Sequence, residues 1–196
     1  MHDILQQQIE FLTEIDKLKQ IFRRTYLMDA SRKENDAEHS WHLAMMALLL
    51  KDSARSPDLD IFHIIKMLLI HDIVEIDAGD TYLYDEDAAR DKAEREQNAA
   101  DRLFGLLPGE QARELRSLWD EFEEQSTPEA KFAASLDRFQ PLLHNYATKG
   151  KSWQEHGVTS EKVLKRCSEI QAGSPALWEY AERLIHQAVQ QGYLEQ

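Results

Sequence analysis

The chain has 196 residues, 42% hydrophobic and 9% aromatic, which is enough for one buried core and favours one domain over two. Seven glycines and five prolines are too few for a collagen-like chain or a sandwich of many short strands, so helices are the expected elements. With 36 acidic against 23 basic residues the formal net charge is −13; this disfavours a nucleic acid polymer or an anionic membrane surface as partner, while a small phosphorylated molecule can still be drawn to a local cation or metal.

Apolar residues from Ile4 to Phe22 recur every three or four positions and predict a first amphipathic helix from about Ile4 to Arg24. A polar connection, Asp29 to Asn35, leads into a second helix from about Asp36 to Ser53, whose Leu43–Leu50 half is expected to be deeply buried. After Ser56-Pro57 a third helix is expected from about Leu59 to Ala78, apolar on most sides, with Gly79 as its C-cap. The stretch from Gly79 to Asp87 has no helical period and reads as a loop that could cover a site.

Further helices are expected at about Ala88–Leu106 and Pro108–Glu124. Thr127-Pro128-Glu129 supplies an N-cap, a first-turn proline and a first-turn acid, opening a helix to about Tyr146. Gly150 to Gly157 reads as a second loop, and Thr159–Gln171 and Ser174–Gln190 complete the chain as helices. The expected organisation is a single domain over residues 1–196, with a core of about 15–147 and the helices of 159–190 packed on it. Met45, Met46 and Trp119 read as core, and the acidic run Asp120 to Glu124 as a solvated face.

Cys167 is the only cysteine, so there is no intrachain disulfide and no cysteine-rich zinc site, and a reducing cytoplasm suits the chain. Met1-His2-Asp3-Ile4 lacks the basic start and apolar core of a signal peptide, and Leu43–Leu50 is too short to span a bilayer.

The most informative segment is Met67-Leu68-Leu69-Ile70-His71-Asp72-Ile73-Val74-Glu75-Ile76-Asp77. Ionisable side chains interrupt an apolar helix there, and burying them requires a partner cation or metal. Glu75 follows His71 by four residues and Asp72 by three, so all three can share one side of a helix. Two more intrusions are His39 in Ala37-Glu38-His39-Ser40-Trp41-His42 and Asp137 in Leu136-Asp137-Arg138-Phe139. His39, His71, Asp72 and Asp137 together offer two imidazoles and two carboxylates from three helices, a set suited to a divalent ion. Singly, each has a plainer reading: a buried hydrogen-bonded pair, a helix-start histidine, an exposed acid. Their joint occurrence favours the ion.

The order His39, His71-Asp72, Asp137 resembles an HD-domain phosphohydrolase, with Ala37-Glu38-His39-Ser40-Trp41 and His71-Asp72-Ile73-Val74-Glu75 as the local motifs. Gly79-Asp80, Thr127-Pro128-Glu129-Ala130 and Asp137-Arg138-Phe139-Gln140-Pro141-Leu142 are similar to the 5′-deoxynucleotidase branch, over about residues 15–147. The resemblance implies an all-α helical bundle of the HD-domain type and one divalent metal ion (Mn, Co, Fe, Zn or Mg) held by His39, His71, Asp72 and Asp137. It implies Glu75 as general acid or base, Asp80 as the sugar-recognition aspartate, Arg24 as the arginine near phosphate and sugar, a small nucleotide substrate, and a homodimer. Where the bacterial pattern has a tryptophan after that arginine, this chain has Thr25 and Tyr26; Arg23 is the alternative phosphate contact.

Between Asp72 and Asp137 there is no histidine, and the next is His144. Dinuclear members of the superfamily carry additional histidines in that interval, so two metals, and with them a diesterase, are disfavoured. His42 and His144 are left outside the site. The expected reaction releases nucleoside and phosphate from deoxynucleoside 5′-monophosphates. Its rivals are hydrolysis of another phosphoester or a nucleoside triphosphate, and nucleotide binding without turnover; a di-iron oxygenase is weakened by the missing histidines.

Overall fold

The computed structural model describes residues 2–80 and 91–196. Helix α1 (His2–Ile15) and a 3-10 turn (Asp16–Gln20) precede strands β1 (Phe22–Tyr26) and β2 (Lys33–Asn35), followed by α2 (Asp36–Leu50). Helix α3 (Ile61–Ile70), a 3-10 turn (His71–Val74) and α4 (Glu75–Ala78) come next, then α5 (Lys92–Phe104), α6 (Gly109–Glu124) and α7 (Pro128–Ala147). Helices α8 (Lys151–Glu155), α9 (Ser160–Cys167), α10 (Ile170–Gly173) and α11 (Pro175–Gln190) complete the order. The all-α expectation holds, with an antiparallel two-stranded hairpin added among the described residues.

Helix α7 is the axis of the packing: α2, α3, α6, α10, α11 and β1 all contact it. Thr127 caps it by accepting the Ala130 amide at 3.1 Å, and Pro128 opens its first turn. Fully buried Phe132, Ala133 and Leu136 anchor it in the core beside Ile64, Met67 and Leu68 of α3. Pro141 lies inside α7. Having no N–H, it leaves the backbone carbonyl of Asp137 without its helical partner.

Several expectations are corrected. The first helix ends at Ile15 rather than near Arg24, and the supposed polar connection is the hairpin. Phe22, Thr25 and Tyr26 favour the extended chain, and the Asp29 carboxylate accepts the Ser31 amide at 2.9 Å while Ala30 takes φ +59°, forming the turn. The third helix is broken by the 3-10 turn at His71–Val74, although Gly79 does end α4 with φ +76°. The helix expected over Thr159–Gln171 is divided into α9 and α10. The expected loop over 79–87 and the start of the helix from Ala88 lie, past Asp80, outside the described residues.

The Leu43–Leu50 half of α2 is not deeply buried. Leu43, Met46 and Ala47 are, but Met45 is partly exposed, and Leu48 and Leu49 are 50% and 74% exposed. A helix apolar all round reads as central, yet among the described residues no layer covers the outer face of α2.

The second expected loop contains α8. It starts at Gly150, whose φ is +75° and where a Cβ would lie 1.8 Å from the Tyr193 carbonyl oxygen, so only glycine fits. Trp153 then buries its side chain in the core. Among the described residues no helix is long and apolar enough to cross a membrane.

Candidate metal centre and active-site cavity

Three local devices aim the ionisable side chains inward. Asn35 caps α2 by accepting the Glu38 amide at 2.9 Å, and the Glu38 carboxylate accepts the Asn35 amide at 3.3 Å. This capping box fixes the first turn, so Asp36 and His39, three residues apart, face the interior with Leu43. At His71–Val74 the backbone tightens to about three residues per turn, which stacks Asp72 with Glu75; both are buried. Asp137 projects from the middle of α7.

His39, His71, Asp72 and Asp137 meet. His39 Nε2 lies 2.9 Å from Asp137 Oδ1 and 3.9 Å from Asp72 Oδ2. His71 Nε2 lies 3.1 Å from Asp72 Oδ1 and 3.8 Å from Asp137 Oδ1. His71 Nδ1 donates to the Leu68 carbonyl at 2.9 Å, and its Nε2 faces the cluster, buried and without a hydrogen-bond partner among the described residues. Donor atoms about 2.1 Å from one ion stand roughly 3.0–3.4 Å apart at octahedral or tetrahedral angles; two of the separations found, 2.9 and 3.1 Å, are near that range, and the other two, 3.8 and 3.9 Å, are somewhat longer. The donor set and the orphaned His71 nitrogen therefore fit a divalent ion. Asp36, Asp72 and Glu75 form a second buried group, of oxygens only, that shares Asp72 with the first.

Arg23 enters this cluster as a cation. Its Nη1 donates to Asp72 Oδ2 at 3.0 Å and lies 3.6 Å from Asp36 Oδ1, and Nη2 is 3.9 Å from Asp137 Oδ1. Burial works against its charge, but Asp72, Asp137, Asp80 and Glu75 outweigh that and raise its pKa. Burial, reinforced by the neighbouring Asp72, pushes Asp36 up to about 8 and Glu75 well above the usual carboxylate range. His39 is pushed down to about 4 by burial and by Arg23, whereas at His71 burial is overcome by Asp72 and Asp137, which lift it to about 9. At Asp137 the hydrogen bond of His39 and the nearby imidazole of His71 overcome burial and hold its carboxyl well below the ordinary value.

Behind His39 lies a polar chain. Glu34 Oε2 is 3.7 Å from His39 Nδ1, and Gln140 Nε2 donates to Glu34 Oε1 at 2.7 Å and to His144 Nε2 at 3.0 Å. His144 Nδ1 donates to the Tyr26 carbonyl at 2.9 Å. This chain ties the hairpin to α7 and backs the imidazole from outside the cluster.

A cavity of about 200 Å³ opens beside the cluster, lined by His71, Asp72, Glu75, Asp80, Asp137 and both arginines of β1 among others. Strand alternation turns Arg23 toward the carboxylates and leaves Arg24 exposed at the cavity wall. Asp80 also lines it, with its pKa raised by burial. Glu123, read as part of a solvated face, is another wall residue, as is Lys92. The sequence reading passed over Asp36, Glu34 and Gln140 and put Arg24 ahead of Arg23. A signal for Asp36 existed in its spacing of three from His39, and one for Gln140 in the motif from Asp137 to Leu142; Glu34 carries none, because its contacts join distant segments.

Comparison with known proteins places this geometry in a family. The HD-domain profile matches residues 15–178. The human 5′-deoxynucleotidase HDDC2 is 32% identical over 136 residues, covering 69% of this chain and 65% of that protein. The Dictyostelium discoideum 5′-deoxynucleotidase HDDC2 is 30% identical over 143 residues, covering 70% and 75%. Against its mammalian relatives the match spans just under two thirds of their length. The crystal structure of a protein described as a predicted metal-dependent phosphohydrolase, from Magnetospirillum magnetotacticum MS-1, superposes with a TM-score of 0.95 at 55% identity, covering 99% of this chain and 97% of that one. The PH0347 protein of Pyrococcus horikoshii OT3 shares the fold, at a TM-score of 0.64 and 22% identity over 93% of this chain and 99% of that one. With most of its length matched, the chain belongs to the HD-domain family.

Proposed function

We propose that the chain is a metal-dependent phosphomonoesterase that hydrolyses deoxynucleoside 5′-monophosphates to nucleoside and inorganic phosphate, working as one domain in a reducing cytoplasm. The observation that carries this reading is the convergence of His39, His71, Asp72 and Asp137, from three separate segments, beside the buried carboxyl of Glu75. The names of the relatives at about 30% identity support the substrate class, and that of the Magnetospirillum protein the reaction class.

In this reading those four side chains hold one divalent ion, which when bound supplies positive charge for the phosphoryl oxygens and acidifies a water. Glu75, whose pKa is raised by burial and by the charge of Asp72, delivers a proton to the departing 5′ oxygen. Arg23 neutralises the carboxylates and Arg24 meets the phosphate from the cavity wall with a planar fork of donors. Asp80 takes a sugar hydroxyl. The experiment is phosphate release from deoxynucleoside monophosphates with and without added Mn²⁺ or Co²⁺. Metal-dependent release is expected, and its absence with every nucleotide rejects the reading.

The chain further works as a homodimer in this proposal. Trp41, Leu48 and Leu49 of α2 and Phe62 of α3 are large apolar side chains left 50–74% accessible, of the kind that a second copy covers.

A further inference from the structure

The polar chain behind His39 contains a second convergence of metal-binding side chains. Glu34 of β2, His42 of α2 and His144 of α7 each offer one donor atom, all within 4.8 Å of one another. Glu34 Oε1 and His144 Nε2 are 3.9 Å apart, and the centroids of the His42 and His144 rings 5.6 Å. Glu34 and His144 are buried, while His42 is partly exposed, so the group borders solvent on one side. None of the three belongs to the set of His39, His71, Asp72 and Asp137.

Between them stands the side-chain amide of Gln140, a fully buried residue. Its Nε2 is 2.7 Å from Glu34 Oε1, 3.0 Å from His144 Nε2 and 3.3 Å from His42 Nδ1. An amide nitrogen carries two hydrogens, so three acceptor atoms face two donors. The role of His144 is fixed: its Nδ1 donates to the Tyr26 carbonyl at 2.9 Å and burial pushes its pKa down to about 4, so Nε2 keeps its lone pair. Burial lowers the pKa of His42 as well. Gln140 Oε1, meanwhile, is buried without a hydrogen-bond partner among the described residues. Native interiors rarely leave such groups unpaired.

Two neutral imidazoles and a carboxylate are the donors of a zinc-class ion, bound at about 2.0–2.2 Å. A half-turn of the Gln140 amide, which exchanges nitrogen for oxygen with little change of shape, adds a fourth donor. Donors so held stand roughly 3.3 Å apart, so the group closes slightly on the ion. The Tyr26 carbonyl on His144 Nδ1 is the outer partner that orients a ligating imidazole.

We propose that Glu34, His42, His144 and Gln140 Oε1 form a second site, for one structural zinc-class ion, that pins the hairpin to α2 and α7. It shares no ligand with the first set and does not depend on the proposed activity. Glu34 Oε2 lies 3.7 Å from His39 Nδ1, so an ion on Glu34 also fixes the carboxylate behind His39.

Two measurements on the full chain, first stripped with EDTA, test it. After Zn²⁺ loading and desalting, inductively coupled plasma mass spectrometry should find one ion fewer per chain in His42→Leu than in the wild type, with the helical circular dichroism retained. A count equal to that of the wild type overturns the site. In crystals of the Zn²⁺-loaded wild type, anomalous scattering at the zinc edge should show a peak between Glu34, His42 and His144, and Asp137→Asn should keep it. A map without that peak overturns the site, and a peak lost in Asp137→Asn overturns its independence of the first set. Neither readout uses turnover, so a chain that releases no phosphate but keeps the peak sinks the proposed activity alone.

Discussion

His39 and Asp137 lie 98 residues apart in sequence, yet Nε2 of one stands 2.9 Å from Oδ1 of the other. Two helices are held so that an imidazole and a carboxylate meet in the interior, and a dication between them would stabilise the folded state by mass action. At Mn²⁺ about 100-fold above its Kd the gain is about 2.7 kcal/mol, or roughly 5–10 °C in Tm for a chain of this size. Differential scanning fluorimetry should record that rise in the wild type and lose most of it in His39→Ala.

Glu75 is separable from the ligands. Glu75→Gln keeps size and burial but cannot deliver a proton, so phosphate release should fall on the order of a hundredfold while the Mn²⁺-induced rise in Tm remains. Turnover at the wild-type rate would remove Glu75 from the chemistry.

The two adjacent arginines should part company. Arg23 stands among buried Asp72, Asp36 and Glu34; Arg23→Ala leaves them uncompensated and should destabilise the metal-free protein by about 3–5 kcal/mol. Because a dication compensates the same carboxylates, Mn²⁺ should raise the Tm of Arg23→Ala by more than it raises that of the wild type. Arg24 is exposed, so Arg24→Ala should change stability by no more than about 0.5 kcal/mol and act on KM.

His144 supplies a pH dependence of stability. Burial pushes its pKa down to about 4 from the ordinary 6.5, so between those values the unfolded chain binds a proton that the folded chain does not. Stability therefore rises with pH through that window and its loss on acidification is complete near the folded value. Urea midpoints near pH 5 and pH 7 should differ less in His144→Gln than in the wild type.

The apolar face of α2 should govern association. Leu49→Glu places a charge on the most exposed of its large side chains and should shift the mass seen by light scattering from two chains to one, with the helical circular dichroism retained. A wild type that is monomeric at micromolar concentration would contradict the dimer.

Legibility followed the range of the interactions. Helix starts such as Thr127-Pro128 and Asn35 rest on contacts within one turn and can be read locally. The hairpin could not be read that way, since β1 gains its partner only when Lys33–Asn35 folds back. Five-residue α8 has too little internal hydrogen bonding to declare itself, and depends on Trp153 finding the core and Gly150 meeting the Tyr193 carbonyl.

The sequence by itself determined the helical class and the unusual side chains, because periodicity and the cost of burying charge are properties of residue type and spacing. Tertiary structure decided the rest: that Arg23 rather than Arg24 enters the carboxylate cluster, that Asp36 and Glu34 stand close to the expected ligands, and that half of an apolar helix faces outward. Each depends on which distant segment supplies the facing surface, and that is settled only when the whole chain packs around α7.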